Sequence, residues 1–128
     1  SSYHDGIEKC AKQEDGSYDF TAIFAHTKDA IEDADLAIVN EEVIIGGEEL
    51  RVTGYPSFNA PYEIADELAE TGFDVICHAT NHALDRGTSG IENCLSYWSE
   101  NHPHCSFPSP RPPCLRQHTH EGRARSLP

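Results

Sequence analysis

Between residues 21 and 39 two patterns of apolar and polar positions follow one another. In TAIFAHTKDAIEDA, Ile23, Phe24, Thr27 and Ile31 recur at helical spacing. This predicts a helix over 21–34, with Asp19 or Thr21 available to cap its first turn. Asp35-Leu36-Ala37-Ile38-Val39 then runs almost continuously apolar, the pattern of a short strand buried on both faces of a parallel sheet.

The order then repeats. Residues 40–60 carry Gly46-Gly47, Gly54 and Pro56 and read as a loop, with room for a small hairpin. Pro61 opens a second helix where its missing N–H is not needed, Ile64 and Leu68 continue the pattern, and Gly72 closes it. Phe73–Cys77 is a second strand, and a third helix over Thr88–Glu100 is expected to bury Ile91, Leu95 and Trp98. Strand, crossover helix, strand, helix is a right-handed βαβ plan, so the fold class is α/β with a parallel sheet. Ligands of such sheets collect at the carboxyl ends of the strands. Two polar clusters fall there, Asn40-Glu41-Glu42 and the turn HATNHALDRG with Asn81, His82 and Asp85. Parallel pairing would bring them together.

From His104 onward the periodicity stops. Residues 103–128 hold six of the eight prolines, so 1–103 reads as one domain and 104–128 as a disordered tail.

Charge sharpens the picture. Nine Lys and Arg stand against 22 Asp and Glu, a net −13, and all but one of the acids precede residue 103. Such a body repels nucleic acid and anionic membranes and attracts divalent cations. No apolar run of about 18 residues is present to span a membrane. The chain begins Ser1-Ser2-Tyr3 without a basic-then-apolar leader, so membrane association is expected only through segments outside this chain. Five cysteines without a C-x-x-C pair argue against a disulfide framework and a ribbon-type zinc site. Cys77 and Cys94 read as small buried hydrophobes. Cys105, Cys114, His118 and His120 match no usual zinc spacing.

The candidate chemistry lies in the two strand-end clusters. An Asn carbonyl oxygen at Asn81 can ligate a divalent metal, and His82 beside it can ligate or protonate a leaving oxygen. Asp85 either orients that imidazole or caps the following helix, and the whole turn is also what ordinary architecture uses. Glu42 shares a side with Asn40, because residues two apart point the same way in extended chain, and is the better ligand candidate than Glu41. His78 reads as a packed histidine. P-loop, dinucleotide and serine-hydrolase motifs are absent.

Three blocks carry a family resemblance: YDFTAIFAHTKDAIEDADLAIVNEE, TGYPSFNAPYEIADEL and TGFDVICHATNHALDRGTSGIENCL. In order and spacing they resemble the CapA family of bacterial capsule or poly-γ-glutamate biosynthesis proteins, over about Tyr18 to Pro103. The resemblance implies a fold similar to the calcineurin-like metallophosphoesterases, an α/β/β/α sandwich with a metal site at its strand ends. The family's N-x-E block falls on Asn40 and Glu42, and its N-H-x-x-D-x-G block on Asn81, His82, Asp85 and Gly87. By that analogy Asn81, Glu42 and Asn40 would hold a divalent metal (Mn, Zn or Fe), and His82 with Asp85 would be catalytic. The block from Gly54 to Pro61 shapes a loop beside them. The implied function is capsule or poly-γ-glutamate synthesis or export, as a metal-dependent hydrolase or as a noncatalytic scaffold. The implied partners are a polyanionic polymer or phosphoester substrate and capsule synthesis and export subunits, in the cell envelope or outside the cell. Against the family pattern the chain starts after an apolar strand ending in Gly-Asp and diverges near His104. It is expected to be a truncated fragment with half of the metal shell absent.

Overall fold

A computed structural model describes residues 5–105; of the tail expected over 104–128, Cys105 is buried in the core, so the packed chain runs past 103, and 106–128 lie outside the described residues. In chain order the elements are α1 (Asp5–Ala11), α2 (Thr21–Phe24), α3 (Lys28–Glu32), β1 (Ile38–Asn40), a 3-10 turn (Glu48–Leu50), α4 (Glu63–Thr71), β2 (Val75–Cys77) and α5 (Gly87–Asn101). The two strands pair in parallel, Ile38 with Val75, Val39 with Ile76 and Asn40 with Cys77. Helices around a small parallel sheet make the fold α/β.

Helix α4 follows its sequence closely. Pro61 precedes it, and Ile64, Ala65 and Leu68 are buried on one face. At its end Gly72 takes φ 105°, a left-handed conformation open to glycine, and the N–H groups of Gly72 and Phe73 reach back to Ala69 O and Leu68 O. The chain then enters β2, whose Ile76 is 1% exposed. Asp74 Oδ2 accepts from Ala37 N–H at 2.9 Å and so locks the start of one strand to the other.

Three expectations need correction. The helix over 21–34 is broken into α2 and α3 by a turn at 25–27. Neither piece buries a residue, and helical turns this short are marginal without packing. Thr27 Oγ1 donates to Phe24 O across the break, so a local bond replaces the helical continuation. Asp19 does close the start, its Oδ1 accepting from both N and Oγ1 of Thr21. Second, β1 is not buried on both faces: Leu36 is 51% and Ile38 58% exposed. Paired residues share a face of the sheet, so Val39 and Ile76 turn to the core while Ile38 and Val75 turn away. Third, α5 buries Gly90, Cys94 and Trp98, with Ile91 partly packed, and leaves Leu95 44% exposed. The inward stripe runs through positions four apart, about 100° from Leu95.

The core gathers where no regular element runs. Val43, Ile44 and Ile45, all buried, lie in the loop after β1 and pack with Phe58, Ala60, Leu68, Ile76, Cys94 and Trp98. Trp98 meets the rings of His78 and His102 edge to face, with centroids 6.5 and 5.5 Å apart. On the far side α4 and α5 are cross-tied: Tyr97 OH donates to Asp66 at 2.8 Å, His102 Nε2 lies 2.6 Å from Asp66 Oδ1, and Tyr62 stacks on Tyr97 at 4.2 Å.

The loop between β1 and α4 holds itself by side-chain bonds. Thr53 and Asn59 exchange two backbone hydrogen bonds, which closes a small hairpin-like loop over 53–59. The Tyr55–Pro56 peptide within it is cis. Asn59 is wholly buried, its Oδ1 accepting from Gly46 N–H and its Nδ2 donating to Gly47 O and Arg51 O.

Candidate strand-end site

Parallel register places the two polar clusters side by side. Glu41 N–H donates to Cys77 O at 2.9 Å, extending the β1–β2 ladder by one bond. Thr80 Oγ1 donates to Glu42 O at 2.6 Å and stitches the loop after β1 to the turn after β2. The residues around Asn40–Glu42 and 78–85 thus meet although about 40 positions separate them.

Within the turn, His82 Nδ1 lies 2.9 Å from Asp85 Oδ2, and the same oxygen accepts Phe58 N–H at 2.8 Å. An ionised carboxylate can only accept, so Nδ1 is the donor and carries the ring hydrogen of the neutral imidazole. Nε2 is left with the lone pair. The Phe58 ring meets the imidazole edge to face with centroids 4.7 Å apart, and Ser57 Oγ donates to Asp85 O at 3.0 Å. Asp85 is bonded to the imidazole and does not cap α5: Arg86 holds the cap position, which has no side-chain capping bond.

The other site candidates are less gathered. Asn40 and Asn81 are exposed, and Glu42 is half-buried. Glu41 is buried instead, and burial, with Glu42 adding to it, pushes its carboxyl up to about 7 against the pull of Val43 N–H at 3.2 Å. His78 sits with its Nε2 4.0 Å from Cys94 Sγ, and burial pushes it down to about 4. That is the behaviour of a packed histidine kept neutral. The Cys94 thiol is itself pushed up to about 11, chiefly by burial, and is a poor nucleophile. Cys10, Cys77, Cys94 and Cys105 are free thiols; Cys114, His118 and His120 lie outside the described residues.

Among the described residues no three His, Cys, Asp or Glu side chains stand where they could hold a metal ion together. Asn40, Glu42 and Asn81 match a hard divalent ion in donor type and fall short of a shell in number.

Thr80 and Arg86 escaped the sequence reading as parts of the site, and Ser57 and Phe58 entered it only within the 54–61 block, read as shaping a loop beside it. A signal for Glu41 was present: residues two apart share a side in extended chain, and both of its neighbours at that spacing, Val39 and Val43, are apolar. The individual bonds of Ser57, Phe58 and Thr80 gave no comparable signal, since they are made by hydroxyl and backbone N–H groups.

The family model described as bacterial capsule synthesis protein PGA_cap matches residues 1–105 of the 128. The chain therefore belongs to this capsule synthesis family, in agreement with the three sequence blocks. No curated protein matches it. Among the described residues no helix is long and apolar enough to cross a membrane.

Proposed function

We propose that this chain serves capsule or poly-γ-glutamate synthesis or export, in the cell envelope or outside the cell, by acid–base chemistry on a phosphoester or polyanionic substrate at its strand ends. The β1–α4–β2–α5 unit is then part of a metallophosphoesterase-like sandwich. The observation that supports this is the oriented pair: Asp85 holds His82 through Nδ1, so Nε2 is the atom that accepts a proton from an attacking water or returns it to a leaving oxygen. A group so placed contributes roughly 10²–10⁴-fold to such a reaction. Asn40, Glu42 and Asn81 would be this chain's share of a divalent-metal site completed by donors from elsewhere.

The shortfall of metal donors among the described residues favours a second reading from another class, a noncatalytic scaffold among capsule synthesis and export subunits. Hydrolysis of a chromogenic phosphodiester with added Mn²⁺ or Zn²⁺ separates the two. Acid–base catalysis requires turnover that falls at least about 100-fold in His82→Ala and also falls in Asp85→Asn. Turnover that His82→Ala leaves unchanged sinks the catalytic reading. No turnover with either metal, together with no metal binding by calorimetry, supports the scaffold.

A further inference from the structure

The strand-end pair rests on a loop that Arg86 holds down. Arg86 is half-buried at the start of α5, and its Nη2 donates to Thr53 Oγ1, to Ser57 O at 3.2 Å and to Arg51 O at 3.4 Å. Among the described residues no carboxylate forms an ion pair with it, so its named bonds all go to the segment 51–57. Thr53 and Ser57 belong to the loop closed by the Thr53–Asn59 bonds, 3.1 and 2.9 Å, and Arg51 lies just before it.

The same loop grips the residue before Arg86. Ser57 Oγ bonds Asp85 O, and Phe58 N–H bonds Asp85 Oδ2. Asp85 and Arg86 are thus tied to one loop from two sides, one as acceptor and one as donor. Because Phe58 N–H and His82 Nδ1 converge on a single oxygen, at 2.8 and 2.9 Å, any drift of the loop moves the atom to which the imidazole is fixed.

We infer that Arg86 is a positioning residue: by pinning the 53–59 loop it fixes Asp85 Oδ2, and through that oxygen it keeps the His82 imidazole in the Nδ1–H form with Nε2 open. The inference rests on the acid–base reading of His82, and its test does not depend on turnover. A planar guanidinium reaching three acceptors is what the position uses; an ammonium can meet part of that set and a thioether none.

The test is a long-range ¹H–¹⁵N spectrum of the labelled 128-residue chain, with the His82 ring signals assigned by their loss in His82→Gln. The parent should show Nδ1 protonated and Nε2 bare in the neutral ring. Arg86→Met should move the Nε2 signal toward the protonated position as the two tautomers mix, and Arg86→Lys should restore part of the parent pattern. Thr53→Val deletes one acceptor of Arg86 and should shift the signal the same way to a smaller extent, which covers the case in which Arg86→Met does not fold. A folded Arg86→Met, or failing that a folded Thr53→Val, with the parent's Nδ1–H spectrum overturns the positioning role. The chromogenic phosphodiester assay reports separately: no turnover in the parent beside a clear tautomer shift in the variants removes the catalytic reading and leaves the positioning role standing.

Discussion

Replacing Asn59 with alanine tests how the loop between β1 and α4 is built. The side chain is fully buried and makes three hydrogen bonds, Oδ1 with Gly46 N–H at 2.8 Å and Nδ2 with Gly47 O at 2.8 Å and Arg51 O at 3.2 Å. The approach is close: a Cβ on Gly46 would lie 2.5 Å from Asn59 Oδ1. Asn59→Ala leaves Gly46 N–H and Gly47 O without this partner in a site it also leaves as a small cavity, while Arg51 O keeps Arg86 Nη2. An orphaned buried polar group costs about 1–3 kcal/mol. The N–H falls toward the upper part of that range, and carbonyls, with two lone pairs, toward the lower. The sum is roughly 3–5 kcal/mol, a large share of the stability of a small domain. Urea unfolding followed by circular dichroism, with linear extrapolation, measures it. Asn59→Asp is the sharper companion, since it keeps the acceptor for Gly46 and turns the donor into an oxygen facing two carbonyls. It should be at least as destabilised at neutral pH and recover as the carboxyl protonates in acid. A loss under about 1 kcal/mol in Asn59→Ala, with Asn59→Asp no worse, would refute the view that this amide organises the loop.

Burial lifts Glu41 from 4.5 to about 7, so the folded chain keeps a proton that the unfolded chain releases, and stability falls as pH rises across that window by about 3 kcal/mol. His78, lowered from 6.5 to about 4, works in reverse: the unfolded chain binds the extra proton, and stability falls as pH drops from 6.5 toward 4. The two slopes offset between about 4.5 and 6.5, so Glu41→Gln should be more stable than the parent at pH 8 and should unmask a rise of stability with pH; denaturant midpoints showing the parent's pH profile would speak against it. Asp66→Ala removes the acceptor shared by Tyr97 and His102 and should cost about 1.5–3 kcal/mol, reduced by the partial exposure of the carboxylate. Because Asp66 helps burial to raise the Tyr97 phenol, the same variant should lower the pH at which the tyrosine absorbance of the folded chain titrates, and an unmoved titration would dismiss the network.

What the sequence disclosed and what it withheld divide along physical lines. Helix α4 was legible because three cues agreed, Pro61 before it, Ile64 and Leu68 within it and Gly72 after it. Parallel pairing was legible from order alone, and with it the meeting of the Asn40–Glu42 loop and the HATNHALDRG turn. The break at 25–27 was not, because apolar spacing counts candidates for burial without saying whether a partner covers them, and Ile23 is 40% exposed. Helix α1 carries a short cue in Ile7 and Ala11 that was not read, four positions apart and both packed inward. The pairing of His82 with Asp85 could be suspected from a spacing of three, whereas the bond from Phe58 N–H depends on where a loop 27 positions away comes to rest.

The packing around Trp98 carries a practical consequence. It is the chain's only tryptophan, buried, with one imidazole near the end of β2 and another just past α5 facing the same indole. A sheltered indole emits to the blue of an exposed one, and a neighbouring imidazole quenches it more strongly when protonated. The protein therefore carries its own fluorophore at the junction of strand end and helix tail, and a single unlabelled emission band reports on both histidines at once.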